Sequence, residues 1–198
     1  MIPCISKVDF SQLRVSCPRS NINGGQTVCV CNATNEKYIF NLVGCETKRG
    51  FTSGANTSLQ LETKNIMHVD CLDTFILNHA VENSLEWFGQ SLDREALRRL
   101  YKPTIHDSSW RVRVPVDEGT GTFIGSIFNI KNEKIHMNHI MLEDETFDAI
   151  IQLSGIYFIP GEFGPSWKLL QIKVRPRVAL STCAFHSDDD DMSDAEPN

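Results

Sequence analysis

The chain has 198 residues, 41% of them hydrophobic, and a formal net charge of −6. A chain of this length and apolar content can bury a real core, and one domain with a tail is the simplest division. No run approaches the roughly 18 apolar residues that span a bilayer, and the N-terminus MIPCISKVDF lacks the pattern of a signal peptide. We therefore expect an intracellular protein with no membrane partner, and its seven cysteines to be reduced thiols.

The first third of the chain has the pattern of β-strands. Segments 8–15, 26–31, 37–43 and 58–67 are rich in Val, Ile, Leu, Phe and Thr, and turn formers such as NINGG and NATNE separate them. The loop at 46–57 carries Lys48, Arg49 and Phe51 among Gly, Thr and Ser. We interpret these three as candidate nucleic-acid contacts on a hairpin tip, with an ordinary flexible loop as the alternative.

The period changes to that of a helix between about 71 and 102. Apolar residues recur there at steps of three and four, and Trp87 and Phe88 are expected to be core anchors of this stripe. Ser91 is expected to cap a second short helix, which ends before Pro103. The pattern predicts a helical hairpin inserted between two sets of strands.

Strands resume at WRVRVPV, where Trp110, Val112 and Val114 alternate with Arg111 and Arg113. Further strands are expected at 123–130, 134–141, 149–159 and 167–175, with turns at KNEK and IPGEFG. Many short strands around one helical insertion favour a mostly β (α+β) fold. The specific form that we expect is an oligonucleotide-binding-type barrel with additional strands.

The last of these strands pairs an aromatic residue with cations. Simple alternation places Trp167, Lys173 and Arg175 on one face and Leu170 and Ile172 on the core face. Such a face suits a single-stranded nucleic acid, since bases stack on aromatic rings and phosphates bind Lys and Arg. The alternative is a solvated sheet face with a partly buried Trp. The candidate contacts on the strands are Arg111, Arg113, Trp167, Lys173, Arg175 and, just beyond, Arg177.

The excess negative charge lies entirely at the C-terminus. Six acids, Asp188 to Asp191, Asp194 and Glu196, equal the whole net charge. A segment this polar cannot bury enough surface to fold, so we expect residues 1–187 to form one β-rich domain and 188–198 a disordered acidic tail. The tail either aids solubility, competes with nucleic acid for a basic groove, or docks on partner proteins.

The motifs of common enzymes and metal sites are missing from the sequence. There is no phosphate-binding loop, nucleophile elbow or zinc-protease helix. The pairs CVC (29–31) and HMNH (136–139) lack the partners of a zinc site. We expect no enzymatic activity, no cofactor and no metal.

Two runs, NHAVENSLEWFGQSLDREALRRLYKPTI and IIQLSGIYFIPGEFGPSWKLLQIKV, carry a resemblance over about residues 75–177. They resemble a protein family of large nucleocytoplasmic DNA viruses, which we connect to the single-stranded DNA-binding proteins of the short-tailed phage type. The matching positions are Asn83, Trp87, Phe88, Tyr101, Pro103, Gly155, Gly161, Phe163, Gly164, Trp167, Lys168 and Gln171.

The resemblance implies an oligonucleotide-binding barrel, an acidic C-terminal tail and sequence-independent binding of single-stranded DNA. The corresponding role is viral replication, recombination or repair, in the nucleus or a cytoplasmic replication site of the infected cell. Replication proteins that dock on the tail, and a homo-oligomer, are the candidate assemblies. Phage-type tails end in an aromatic residue, whereas this one ends in AEPN. The alternative function is a structural or virion-associated protein that uses the same sheet face for protein contacts.

Overall fold

The computed structural model describes residues 2–4, 7–20, 25–48, 57–63, 69–135 and 145–175. Strands dominate these residues, and three helices lie between the sixth and seventh strands. The helices are α1 (Val69–Glu82), α2 (Ser84–Phe88) and α3 (Arg94–Leu100). The strands are β1 (Arg14–Val15), β2 (Arg19–Ser20), β3 (Gln26–Val28), β4 (Val30–Cys31), β5 (Ile39–Cys45), β6 (Ser58–Leu61), β7 (Ile105–His106), β8 (Ser109–Arg113), β9 (Ser126–Phe128), β10 (Lys134–Ile135), β11 (Thr146–Ile159) and β12 (Glu162–Arg175).

The long hairpin of β11 and β12 forms the centre of the sheet. The two strands are antiparallel over their whole length, from the pair Thr146 and Arg175 to the pair Ile159 and Glu162. Buried and less buried residues alternate along β11, as expected where one face packs on the core. The pairing shifts at two β-bulges, and each bulge changes which residues face inward.

Five strands are paired one to the next in a nearly closed ring. β11 pairs with β5 on its other edge, β12 pairs in parallel with β8, and β8 pairs with β6. Two backbone hydrogen bonds between Glu46 and Glu62, of 2.9 and 2.8 Å, join the ends of β5 and β6. The path β5, β11, β12, β8, β6 is therefore a partly open barrel, and β2, β3, β9 and β10 extend the sheet. The predicted fold class, a mostly β barrel of the oligonucleotide-binding type with additional strands, is confirmed.

Aromatic residues fill the barrel interior. The ring centroids of Trp110 and Trp167 are 4.8 Å apart at an angle of 78°, and Phe40 lies 5.8 Å from Trp167. Phe147 and Phe163 are fully buried in the same core. Edge-to-face packing of such rings stabilises the core beyond the area that they bury.

The helical insertion packs against the tip of the β11–β12 hairpin. Trp87 and Phe88 lie 5.5 and 5.4 Å from Phe158, and Phe88 lies 5.1 Å from Phe163. The predicted insertion and its core anchors are confirmed. The helix cap was assigned wrongly: Asp93, not Ser91, accepts the N-terminal hydrogen bond of α3, from the backbone N–H of Ala96 at 2.7 Å.

Two predicted strands are much shorter in the structure. Residues 8–15 contain a 3-10 turn at Phe10–Gln12, and only Arg14–Val15 pair as a strand. Of residues 123–130, only Ser126–Phe128 form a strand. Phe10 and Phe123 are buried although they lie outside these strands, whereas Ile124 and Ile130 are exposed, so apolar content alone overestimated strand length.

Candidate nucleic-acid interface

An open groove of about 620 Å³ lies where β8 and β12 separate. The two strands share a single bridge, between Arg113 and Lys168. Residues 101–106 enter beside it, pairing with β12 at Tyr101 and with β8 at Ile105. The groove is lined by Thr57, Ser58, Gln60, Lys102, Pro103, Thr104, His106, Ser109, Arg111, Arg113, Tyr157, Ile159, Glu162, Pro165, Ser166 and Trp167.

Two arginines project into this groove. Alternation along β8 buries Trp110 and Val112 and exposes Arg111 and Arg113, as the sequence predicts. Within the described residues neither arginine forms an ion pair with an acid. Two unpaired guanidinium groups on one strand face can hold phosphates in fixed geometry. Their role in binding remains a prediction.

A third cation reaches the groove from the segment after α3. The Lys102 backbone N–H donates to the carbonyl of Phe163 at 2.8 Å, which ties this segment to β12. The approach is so close that a Cβ at Gly164 would lie 2.4 Å from the Lys102 carbonyl oxygen. Only glycine fits there. The Lys102 side chain is 51% exposed.

Trp167 is not the exposed stacking platform that alternation predicted. Its side chain is 3% exposed and packs on Trp110 and Phe40, so it forms the floor of the groove as part of the core. The cause is the β-bulge in β12. Ile150 pairs with Gln171 but Ile151 pairs with Leu169, so Leu170 is the extra residue. Trp167 and Leu169 point inward before the bulge, and Ile172 points inward after it.

The predicted cations of β12 do not line the groove, in contrast to Arg111 and Arg113. The Lys173 ammonium donates to Oδ1 of Asn132 at 2.8 Å, next to the β9–β10 turn. Arg175 forms an ion pair of 2.7 Å with Asp148. Of the candidate cations on the two strands, only Arg111 and Arg113 of β8 therefore line the groove.

Of the three loop candidates, the structure describes only Lys48. Lys48 forms an ion pair of 2.9 Å with Glu62, beside the Glu46–Glu62 closure of the barrel. Arg49, Phe51 and Arg177 lie outside the described residues, as does the acidic tail.

Sequence reasoning missed the groove residues Lys102, His106, Tyr157 and Glu162. Tyr157 lies in the segment 149–159, which the pattern predicts to be a strand. A second β-bulge, between Leu153 and Gly155, separates it from the regular alternation. The Gly at 155 was the one local signal of such a bulge.

Tyr157 and Glu162 form a coupled pair at the hairpin end of the groove. The Tyr157 hydroxyl donates to Oε1 of Glu162 at 3.2 Å. Partial burial and the neighbouring carboxylate raise the pKa of Tyr157 to about 12, while Arg111 acts in the opposite direction. The phenol is therefore neutral at physiological pH and keeps its donor hydrogen.

The part of the chain that the structure describes contains neither a cluster of metal ligands nor a helix that could span a membrane. No three His, Cys, Asp or Glu side chains there are grouped as a metal site would require. His136 and His139 lie outside those residues. No helix among them is long and apolar enough to cross a bilayer.

A model described as a family of unknown function (DUF5871) matches residues 50–186. No curated protein matches the chain. Among solved structures, the single-stranded DNA-binding protein from bacteriophage Enc34 is similar at 12% identity, with a TM-score of 0.44 over 89% of this chain and 98% of that one. The complex of that protein with single-stranded DNA is similar over 80% of this chain and 94% of that one, at 11% identity and a TM-score of 0.41. The single-stranded DNA-binding protein gp2.5 of bacteriophage T7 is similar over 81% of this chain and 99% of that one, at 10% identity and a TM-score of 0.44.

Proposed function

We propose that this chain, which belongs to the family of unknown function DUF5871, binds single-stranded DNA in the groove between β8 and β12. The observation that carries the proposal is the exposure of Arg111 and Arg113 in a groove that Tyr157 also lines, without an acid partner for either arginine among the described residues. Cations that follow a nucleic-acid backbone and aromatic rings on which bases stack are the two components of single-strand binding sites.

The position of the groove on the barrel supports the proposal. Oligonucleotide-binding barrels bind across the face of their second and third strands, between the loops that join strands 1 and 2 and strands 4 and 5. In the order β5, β6, β8, β11, β12, the second and third strands are β6 and β8. Gln60 and Arg111 are paired on these strands, and Ile159 and Glu162 flank the turn from β11 to β12.

Recognition of an unpaired strand follows from what the groove offers. Tyr157 and the hydroxyl and amide groups around it can reach base faces and edges, which are hidden inside a duplex. Phosphate contacts through Lys102, Arg111 and Arg113 carry no sequence information. Most of the affinity is therefore independent of sequence.

We also propose a role in the replication, recombination or repair of viral DNA in the infected cell. This rests on the resemblance of the helix and strand motifs to a family of large DNA viruses. Replication proteins that contact the acidic tail are the candidate partners, and self-association is the candidate assembly.

The test is a titration of fluorescent oligo-dT and of duplex of equal length at several salt concentrations. Three phosphate contacts predict a slope of log affinity against log salt of about −2 for the single strand, and weaker binding of the duplex. Equal affinity for both forms would contradict a preference for single strands. An affinity that does not change with salt would contradict phosphate binding and favour a protein ligand for this face.

A further inference from the structure

Glu162 is an anomaly in a groove proposed to bind phosphates. It is the one acidic residue among those that line the groove in the described part of the chain. Its Oε1 accepts from the Tyr157 hydroxyl at 3.2 Å, and its Oε2 lies 3.8 Å from the Lys102 ammonium. An acid at this position opposes the binding of a phosphate backbone, so its presence needs another reason.

The ion pair with Lys102 does not supply that reason. It is long for a salt bridge, and the side chains of Lys102 and Glu162 are 51% and 32% exposed. Pairs with this exposure contribute little to stability. The same weakness means that the pair cannot hold the groove closed against a bound strand.

The hydrogen bond from Tyr157 nevertheless holds the carboxylate beside an aromatic ring. An ionised carboxylate only accepts hydrogen bonds and has about four acceptor positions, of which the contacts with Tyr157 and Lys102 use two. The rest remain available to a ligand in the groove. The neutral Tyr157 hydroxyl keeps donating to Glu162 while the ring face can stack on a base.

Base chemistry decides which ligand fits such an acceptor. The Watson–Crick edge of an unpaired guanine presents two adjacent N–H donors, at N1 and N2, and these match the two oxygens of a carboxylate. Adenine and cytosine each present one amino donor next to a ring nitrogen acceptor, and thymine presents one N–H between two carbonyl oxygens. In these three bases an acceptor faces the carboxylate and repels it.

We propose that Tyr157 and Glu162 form a base subsite that prefers guanine, with the ring stacked on the base and the carboxylate accepting from N1 and N2. The inference rests on the proposed function and refines it: binding is independent of sequence except at this position. One bidentate pair discriminates against the wrong base by roughly tenfold.

The experiment compares three oligonucleotides of equal length. In the first dT alternates with dG, in the second dT alternates with deoxyinosine, and the third is oligo-dT. Deoxyinosine keeps the N1 donor of guanine and lacks the N2 amino group. The wild type is expected to bind the dG strand about tenfold more tightly than oligo-dT. The inosine strand should be intermediate.

The variant Glu162→Gln keeps the size of the side chain but offers one acceptor and one amide donor. It is expected to bind all three strands more evenly, because an amide cannot accept two adjacent N–H groups. The matched control is Glu118→Gln, which removes the same charge at an exposed residue that does not line the groove and should keep the preference.

The ratio of affinities is the readout, since removal of an acid raises the affinity for every strand. The proposal would be overturned if the wild type bound the three strands equally and the Glu162→Gln variant bound all of them more tightly by the same factor. Glu162 would then only oppose phosphates. Failure of the wild type to bind any strand would instead contradict the proposed function itself.

Discussion

At the scale of single residues, Trp167 shows how a local irregularity reverses an interpretation. Its ring is buried between Trp110 and Phe40, so we expect Trp167→Ala to lower the free energy of unfolding by about 3–5 kcal/mol, as deletion of a buried aromatic ring does. Denaturant unfolding measures this change. Trp167→Phe should cost less, because it also removes an indole N–H that has no hydrogen-bond partner among the described residues.

An unchanged unfolding curve for Trp167→Ala, together with a loss of DNA affinity, would show instead that the ring is on the surface. That outcome would restore the simple alternation of β12 and contradict the bulge at Leu170.

Tyr157 is the groove aromatic that remains accessible to a base. We expect Tyr157→Leu to weaken binding of oligo-dT by roughly 1–3 kcal/mol, which is the contribution of one base stacked on an aromatic ring. Tyr157→Phe keeps the ring and should retain most of the affinity, which separates stacking from the hydrogen bond to Glu162. Fluorescence anisotropy of labelled oligo-dT measures both variants. An equal loss in both would mean that the hydroxyl, not the ring, contacts the strand.

At the scale of elements, Asp73 links α1 to the segment that carries Lys102. Its carboxylate accepts from the Tyr101 hydroxyl at 2.6 Å and from the Thr104 hydroxyl at 2.9 Å, and the Thr104 N–H lies 3.2 Å from Oδ2. Asp73→Ala leaves these partly buried donors without an acceptor, so we expect it to lower the free energy of unfolding by about 1–3 kcal/mol. The control is Asp70→Ala, which removes an exposed acid from the same helix. An equal effect of the two changes would contradict this role of Asp73.

The same contact predicts a dependence of stability on pH. Burial raises the pKa of Asp73 above its ordinary value, although hydrogen bonds from Tyr101 and Thr104 act in the opposite direction. The folded state therefore binds this proton more tightly than the unfolded state. The stability that it contributes is complete below the ordinary aspartate pKa and is lost as the pH rises through the folded pKa.

Unfolding free energies of the wild type and Asp73→Asn, measured from acidic to neutral pH, test this sign. The advantage of the wild type over the variant should shrink as the pH rises through that window and then stay constant. An advantage that grows with pH would show that the folded state lowers the pKa of Asp73 instead.

The elements also show what the sequence could and could not predict. The helical period of residues 71–102 and the alternation of Trp110 to Arg113 depend on local pattern, and both were predicted correctly. The bulges at Leu170 and near Gly155 lie within the β11–β12 hairpin, and simple alternation assumes that a strand has no such extra residue. The pairing that places Lys102 beside Phe163 is long-range, so the groove's third cation had no local signal.

At the scale of the whole molecule, the charge distribution predicts competition for the groove. Because the six acids between residues 188 and 196 belong to the same chain as the groove, we expect them to compete for it at high effective concentration. We expect a chain that ends at Ser187 to bind oligo-dT several-fold more tightly at low salt. The gain should shrink as salt screens the charges.

The matched control keeps the length of the chain and replaces Asp188, Asp189, Asp190 and Asp191 with Asn. It should reproduce most of the gain if charge is the cause. Equal or weaker binding by both variants at every salt concentration would contradict competition and leave solubility or docking as the role of the tail. A pull-down of replication proteins with the full and shortened chains would then separate those two.

The central claim is that a nucleic-acid backbone lies on the outward face of β8. The most direct measurement is the salt dependence of oligo-dT affinity for the double variant Arg111→Ala/Arg113→Ala. Its control is Arg14→Ala/Arg98→Ala, which removes two exposed arginines that do not line the groove. We predict that the slope becomes shallower by about 1.4 in the β8 variant and stays unchanged in the control, because two phosphate contacts are lost only in the former. Identical slopes in the two variants would contradict the account.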